Sequence, residues 1–259
     1  MSVPWRETGS NPTMPKLINL VATRSKNGDH AALHRWYNDH VHLLMGFDAL
    51  TRAVLYRRLG ASPTHAPGSA PEYICLYEFP SPADFLAFET SDARVKARKI
   101  LADGWGRDGI EMTQRTQYLR LGVRTAGAFT GAGAGTVQTQ PTVHHFQSLT
   151  LGAGPGLWPL PEAARWLSDR VHNAMASGPE TIAFSKAAWH RAADATGAGG
   201  DVLVHIEQAA DAAPAFAAKN SPWWQAGSAD ANPAAFGQAP ATVQIRWQGD
   251  YQCLTRWER

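Results

Sequence analysis

The chain has 259 residues, 44% of them hydrophobic and 18% charged, with a formal net charge of +2. That is ordinary globular composition with enough apolar mass for two cores, and so small a charge gives no basic field for nucleic acid. The first residues hold no apolar leader segment and no run approaches about 18 apolar residues, so the expectation is a cytoplasmic protein that does not span a membrane.

After a tail over residues 1–14, KLINLVAT (16–23) reads as a strand. Asp29 is placed to cap a helix running to about Met45, with Leu33, Trp36, Tyr37, Val41 and Leu44 at the spacing of one helical face. LTRAVLYRRL (50–59) is a strand, followed by a Pro/Gly-rich connector and the aromatic-rich strand EYICLYEF (72–79). Ser81-Pro82 opens a helix through ADFLAF that resumes across DARVKARKIL, and TQRTQYLRLGV (113–123) closes the unit as a strand. A Gly/Ala-rich linker (125–142) follows. Beyond it the order recurs: strand 143–152, helix 161–176, strands 180–190 and 200–208, a poorer helix broken at Pro222, and a closing strand or hairpin over 241–258.

The recurrence is visible residue by residue. One offset of 130 positions relates Arg35 to Arg165, Trp36 to Trp166, Asp39 to Asp169, Val41 to Val171, His42 to His172 and Met45 to Met175. A repeat this long exceeds the roughly 20–50 residues of a solenoid unit, so the expectation is a tandem domain, with copies at 15–124 and 143–259. Strand–helix–strand–strand–helix–strand, twice, is an α+β pattern of antiparallel sheets carrying helices on one face.

The stretch HRWYNDHVHLLMGFDALTRAVLYRRL (34–59), through Trp36, Tyr37, Asn38, Asp39 and His40, resembles the EthD-like branch of the dimeric α/β-barrel superfamily. YICLYEF and the helix starting near Ser81 carry the resemblance more loosely. It implies two ferredoxin-like (βαββαβ) sheets meeting face to face in a barrel, each with a pocket between sheet and helices. Single-copy relatives make that barrel by dimerising; a tandem chain can make it internally, and further association into a homodimer stays open. The superfamily includes polyketide cyclases, lactone isomerases, cofactor-free monooxygenases and haem enzymes, so the resemblance speaks to fold more than to reaction. The second copy departs from the pattern, with Leu167 where the first has Tyr37 and Arg170 where it has His40.

His40 falls four residues after Trp36 on the apolar stripe of its helix, poised to lose charge by burial and act as a base. The alternative is a core histidine bonded to backbone. Tyr37, one turn earlier, could present its hydroxyl to the same pocket or be plain core. Asp39 and His42 point away from the stripe. In the later strand, His205 and Glu207 share a face and would form a second acid/base pair if that face lines the barrel. One of His144 and His145 must look inward, because neighbouring strand residues alternate. Trp36, Arg170, His144 and Trp224 are the candidate substrate contacts, the last from the Trp223-Trp224 pair of a tryptophan-rich chain. Arg57, Arg58 and Arg120 could supply a cation.

Cys75 and Cys253 lie in separate strand-like runs and read as reduced thiols. No HExxH, CxxC, P-loop or GxSxG pattern occurs, and GAGAG (131–135) lacks a strand–loop–helix frame. The expectation is an enzyme without metal, flavin, nicotinamide or haem, moving protons on a small aromatic or polyketide-like substrate as a lyase, isomerase or cyclase. Its rivals are an oxygenase, haem-dependent or cofactor-free, and a non-catalytic small-molecule binder.

Overall fold

A computed structural model describes residues 16–60, 70–102, 105–124, 142–151, 180–186, 202–209 and 243–259. In the first half, β1 (Leu17–Ser25) leads to α1 (His30–Leu44), then β2 (Arg52–Arg58) and β3 (Tyr73–Phe79). Three helices follow, α2 (Pro82–Glu89), α3 (Asp92–Ala102) and α4 (Trp105–Gly109), before β4 (Ile110–Arg124). The second half contributes β5 (Thr142–Leu151), β6 (Glu180–Lys186), β7 (Val202–Ala209) and β8 (Val243–Glu258). Among the described residues, no helix is long and apolar enough to cross a membrane.

The eight strands form one closed antiparallel barrel in the order β1-β3-β2-β8-β5-β7-β6-β4. Each half therefore supplies four adjacent strands in the same order, β4-β1-β3-β2 and β8-β5-β7-β6. Two seams join them. Along one, β2 runs against β8 from Arg52↔Glu258 to Arg58↔Tyr251; along the other, β4 runs against β6 from Tyr118↔Lys186 to Arg124↔Thr181. In the closed order each of the eight described strands has a neighbour on both sides within the chain. The barrel closes within one chain, as the sequence pattern predicts.

Strand alternation sorts the core into two layers. Tyr73, Cys75, Tyr77 and Phe79 of β3 look out toward the helices and pack with Leu33, Tyr37, Val41, Leu44, Phe85 and Phe88. Ile74 and Leu76 look into the barrel with Ile18, Leu20, Val54, Tyr56, Phe146, Leu203, Trp247 and Tyr251. Covered on both sides, β3 is buried at all seven positions, the pattern of a central strand.

Local chemistry sets the helix ends. Asp29 caps α1 as expected, its carboxylate accepting from the Ala32 amide at 2.8 Å. Ser81 accepts from the Asp84 amide at 3.2 Å, with Pro82 in the first turn. The predicted continuation through DARVKARKIL is a separate helix, because Ser91 starts a new one by accepting from the Arg94 amide at 3.2 Å. The short α4 is missing from the sequence reading. It turns so tightly that a Cβ on Gly109 would lie 2.3 Å from the Trp105 ring.

Candidate functional site

Burying its apolar stripe against the outer face of β1 and β3, α1 carries Trp36, Tyr37 and His40 to the wall of a cavity of about 240 Å³. Asn19, Val21 and Thr23 of β1 form its floor, joined by Tyr77 of β3. Phe88, Arg94, Ile110, Met112 and Arg115 bring α2, α3 and β4 around it.

His40 is 5% exposed, and its ring stacks on Trp36 with centroids 4.4 Å apart and planes at 17°. Burial, then the charge of Arg94, lowers its pKa to about 4, against a smaller upward pull from a hydrogen bond to the Ala97 backbone. At neutral pH the imidazole is uncharged. A backbone bond that favours the protonated ring runs from ring N–H to carbonyl, and Nδ1 is buried with no partner. The ring thus keeps a nitrogen lone pair for a base.

Tyr37 is 1% exposed, and its hydroxyl lies 2.9 Å from Thr23 Oγ1. Burial raises its pKa strongly, with a smaller contribution in the same direction from Cys75, and burial raises that of Tyr77 in the same way. Both stay phenols and serve as donors, not bases. When Thr23 donates to Tyr37, the phenolic proton is available to the cavity. Asn19 is fixed by accepting from Gln117 Nε2 at 3.0 Å. Asp39 and His42, which recur in the second half, are exposed.

The cations at this site are Arg94, Arg115 and, on its exposed side, Arg107, rather than those singled out from sequence. Arg57 lies over the Tyr73 ring, Arg58 donates to the Ala70 carbonyl at 2.7 Å, and Arg120 pairs with Glu78 at 2.9 Å. Arg94 belongs to α3 and Arg115 to β4, and strand alternation on β4 alone gives no sign that they meet.

His144 and His205 come together elsewhere, in the barrel interior on the opposite face of the sheet. His144 Nδ1 lies 3.0 Å from His205 Nε2, and the His205 ring stacks on Phe146 at 4.2 Å. His145 looks outward and meets Asp250 at 2.7 Å. The inward face of β7 does line the barrel, but His144 rather than Glu207 is the hydrogen-bond partner of His205. Burial lowers the pKa of His144 to about 4 and that of His205 well below the ordinary histidine range, with Arg256 next for the first and His144 for the second. Leu167, Arg170, His172 and Trp224 lie outside the described residues. Among the described residues no group of three or more His, Cys, Asp or Glu could hold a metal ion, and both cysteines are free thiols, Cys75 buried and Cys253 partly so.

Haem is the cofactor this fold brings into question. The cavity is smaller than the roughly 300–1,000 Å³ of common ligand pockets, and His40 lies flat against Trp36. The residues around His40 do not fit a macrocycle.

No protein-family model matches the chain, and no curated protein matches it. Solved structures do. A candidate monooxygenase of Fusobacterium nucleatum is 8% identical, with 95% of each chain covered and a TM-score of 0.55. A candidate chlorite dismutase is also 8% identical, covering 93% of this chain and 96% of its own, at 0.54. An anthrone oxidase-like protein is 12% identical, covering 95% and 93%, at 0.53. Identities this low carry fold alone: the chain shares the α/β-barrel architecture of these structures.

Proposed function

We propose that this chain is an enzyme, working without a cofactor, that moves a proton on a small aromatic or polyketide-like molecule bound beside His40, as a lyase, isomerase or cyclase. The observation that carries the reading is the buried, uncharged His40 on the cavity wall with its unpartnered Nδ1. His40 takes a proton from a carbon or hydroxyl of the substrate. Tyr37 donates to the oxygen on which negative charge collects, and Trp36 and Phe88 flank the ring. Such a pair in a dry site commonly contributes roughly 10²–10⁴-fold in rate.

Two tandem ferredoxin-like copies fit the chain, supported by the constant sequence offset and the common strand order of its halves. The first copy would hold the chemistry. Its test is solvent exchange: aromatic ketones, lactones and polyketide-like phenols are incubated with the protein in D₂O, and deuterium uptake is followed by NMR. The expected result is uptake that His40→Ala abolishes and Tyr37→Phe slows by roughly tenfold or more, both variants keeping the native melting profile. Uptake indifferent to His40→Ala sinks the proposal, and binding without uptake makes the protein a carrier.

The same proton abstraction opens cofactor-free oxygenation, in which dioxygen takes electrons from the carbanion that His40 generates; it rests on the same buried, uncharged His40. Oxygen consumption during turnover separates the two.

A further inference from the structure

We propose that the ligand of the His40 cavity is an anion: a small aromatic compound whose carboxylate is held by Arg94 and Arg115. The inference rests on the reading of this cavity as the substrate site and names the class of molecule it takes.

The argument starts from a charge imbalance. Glu89, only 3% of its side chain exposed, faces three guanidinium groups: Arg115 at 2.5 Å, Arg98 at 3.4 Å and Arg94 at 3.5 Å. One carboxylate cannot neutralise three cations. Arg98 is 47% exposed, so solvent screens its charge. Arg94 and Arg115 are 15% and 16% exposed, and both line the cavity. The Nε of Arg115 is buried without a hydrogen-bond partner, and that of Arg94 has only the long 3.5 Å ion pair to Glu89. Removing a cation from water is costly unless a counter-charge replaces the solvent.

The remaining lining supplies no such charge. Among the described residues around the cavity there is a third arginine, Arg107, and no aspartate or glutamate. Arg107 is 69% exposed and pairs with Asp108 beside it at 3.2 Å, so the dry end of the cavity belongs to Arg94 and Arg115. Trp36, Tyr37 and Phe88 line the same cavity, Phe88 with its ring beneath the Arg94 guanidinium at 5.9 Å, and offer apolar faces to a flat ring. A benzoate-like molecule satisfies both ends at once: carboxylate on the guanidinium fork, ring among the aromatics.

Such a ligand changes His40 as well. The Arg94 charge is one of the causes holding the imidazole unprotonated. A bound carboxylate offsets that charge and makes His40 a stronger base only when the site is filled.

The test uses the full-length protein with benzoate and its neutral analogue benzamide as probes, binding followed by calorimetry and by the NMR titration of His40. Benzoate should bind roughly tenfold or more tightly than benzamide, weaken with added salt, and raise the His40 pKa. Arg94→Gln should erase the preference, and Arg94→Lys, which keeps the charge and guards against misfolding, should retain most of it. Equal binding of benzoate and benzamide in the His40 cavity, unmoved by Arg94→Gln, overturns the anion assignment while leaving the cavity as the ligand site. Benzoate binding that leaves His40 untouched also overturns it, since the anion then sits elsewhere. If neither probe binds or moves the His40 resonances, both readings fall together.

Discussion

Three histidines are kept uncharged by burial, and this makes acid the natural probe of the molecule. His40 and His144 have folded pKa values of about 4 against an ordinary 6.5. As pH falls below about 6.5 the unfolded chain takes up protons that the folded chain refuses. Stability present above that pH is therefore lost progressively down to about pH 4, by up to about 3 kcal/mol for each group. The expected outcome is a urea midpoint that drops steeply between pH 6.5 and 4.5, and a shallower drop in His144→Gln. A midpoint flat across that window would mean that the histidines take up protons in the folded chain as readily as in the unfolded one. The stripe that places His40 indoors is legible in the sequence because it is periodic and local. The Arg94–Glu89–Arg115 cluster is not, because its members sit on three elements whose meeting only the fold decides. The His144–His205 pair is intermediate: alternation reveals its faces, and the neighbouring of β5 and β7 remains hidden.

Capping chemistry made most of the helices readable, and its density explains the departures. Asp29, Ser81 and Ser91 each accept an amide of the following turn, and the last of these divides what reads as one resumed helix. The five residues of α4 are too few for a periodic signal. Their shape rests on Gly109, where any side chain meets the indole of Trp105. Gly109→Ala should cost about 1–3 kcal/mol through overpacking, seen as a lowered melting temperature. Gly106, Arg107 and Ile110 border the cavity beside this turn, so ligand affinity should fall in the same variant. An unchanged melting temperature would show that Trp105 swings aside freely.

The closed barrel makes each half the cover of the other. Ile18, Leu20, Val54, Ile74 and Leu76 of the first half are buried against Phe146, Leu203, Trp247 and Tyr251 of the second. Residues 1–124 alone would expose that whole apolar face and the edges of β2 and β4. The expected result is a fragment that self-associates, measured by light scattering on a sizing column; a stable, soluble monomer would mean that the first sheet covers itself. The pairing of the halves was open to inference from the repeat, whereas the two seams depend on strand order that no single segment encodes.

One contact ties these scales together. His34, on the helix that bears His40, lies 2.8 Å from Thr255 Oγ1 across 221 positions of chain, and Leu254 and Trp257 of β8 pack against the same core. The helix carrying the proposed base therefore leans on a strand supplied by the opposite half. Mutations in β8 would then reach the geometry of the proposed site, although β8 gives it no lining residue among those described. Selection on the first half's chemistry would be written partly in the second half's sequence.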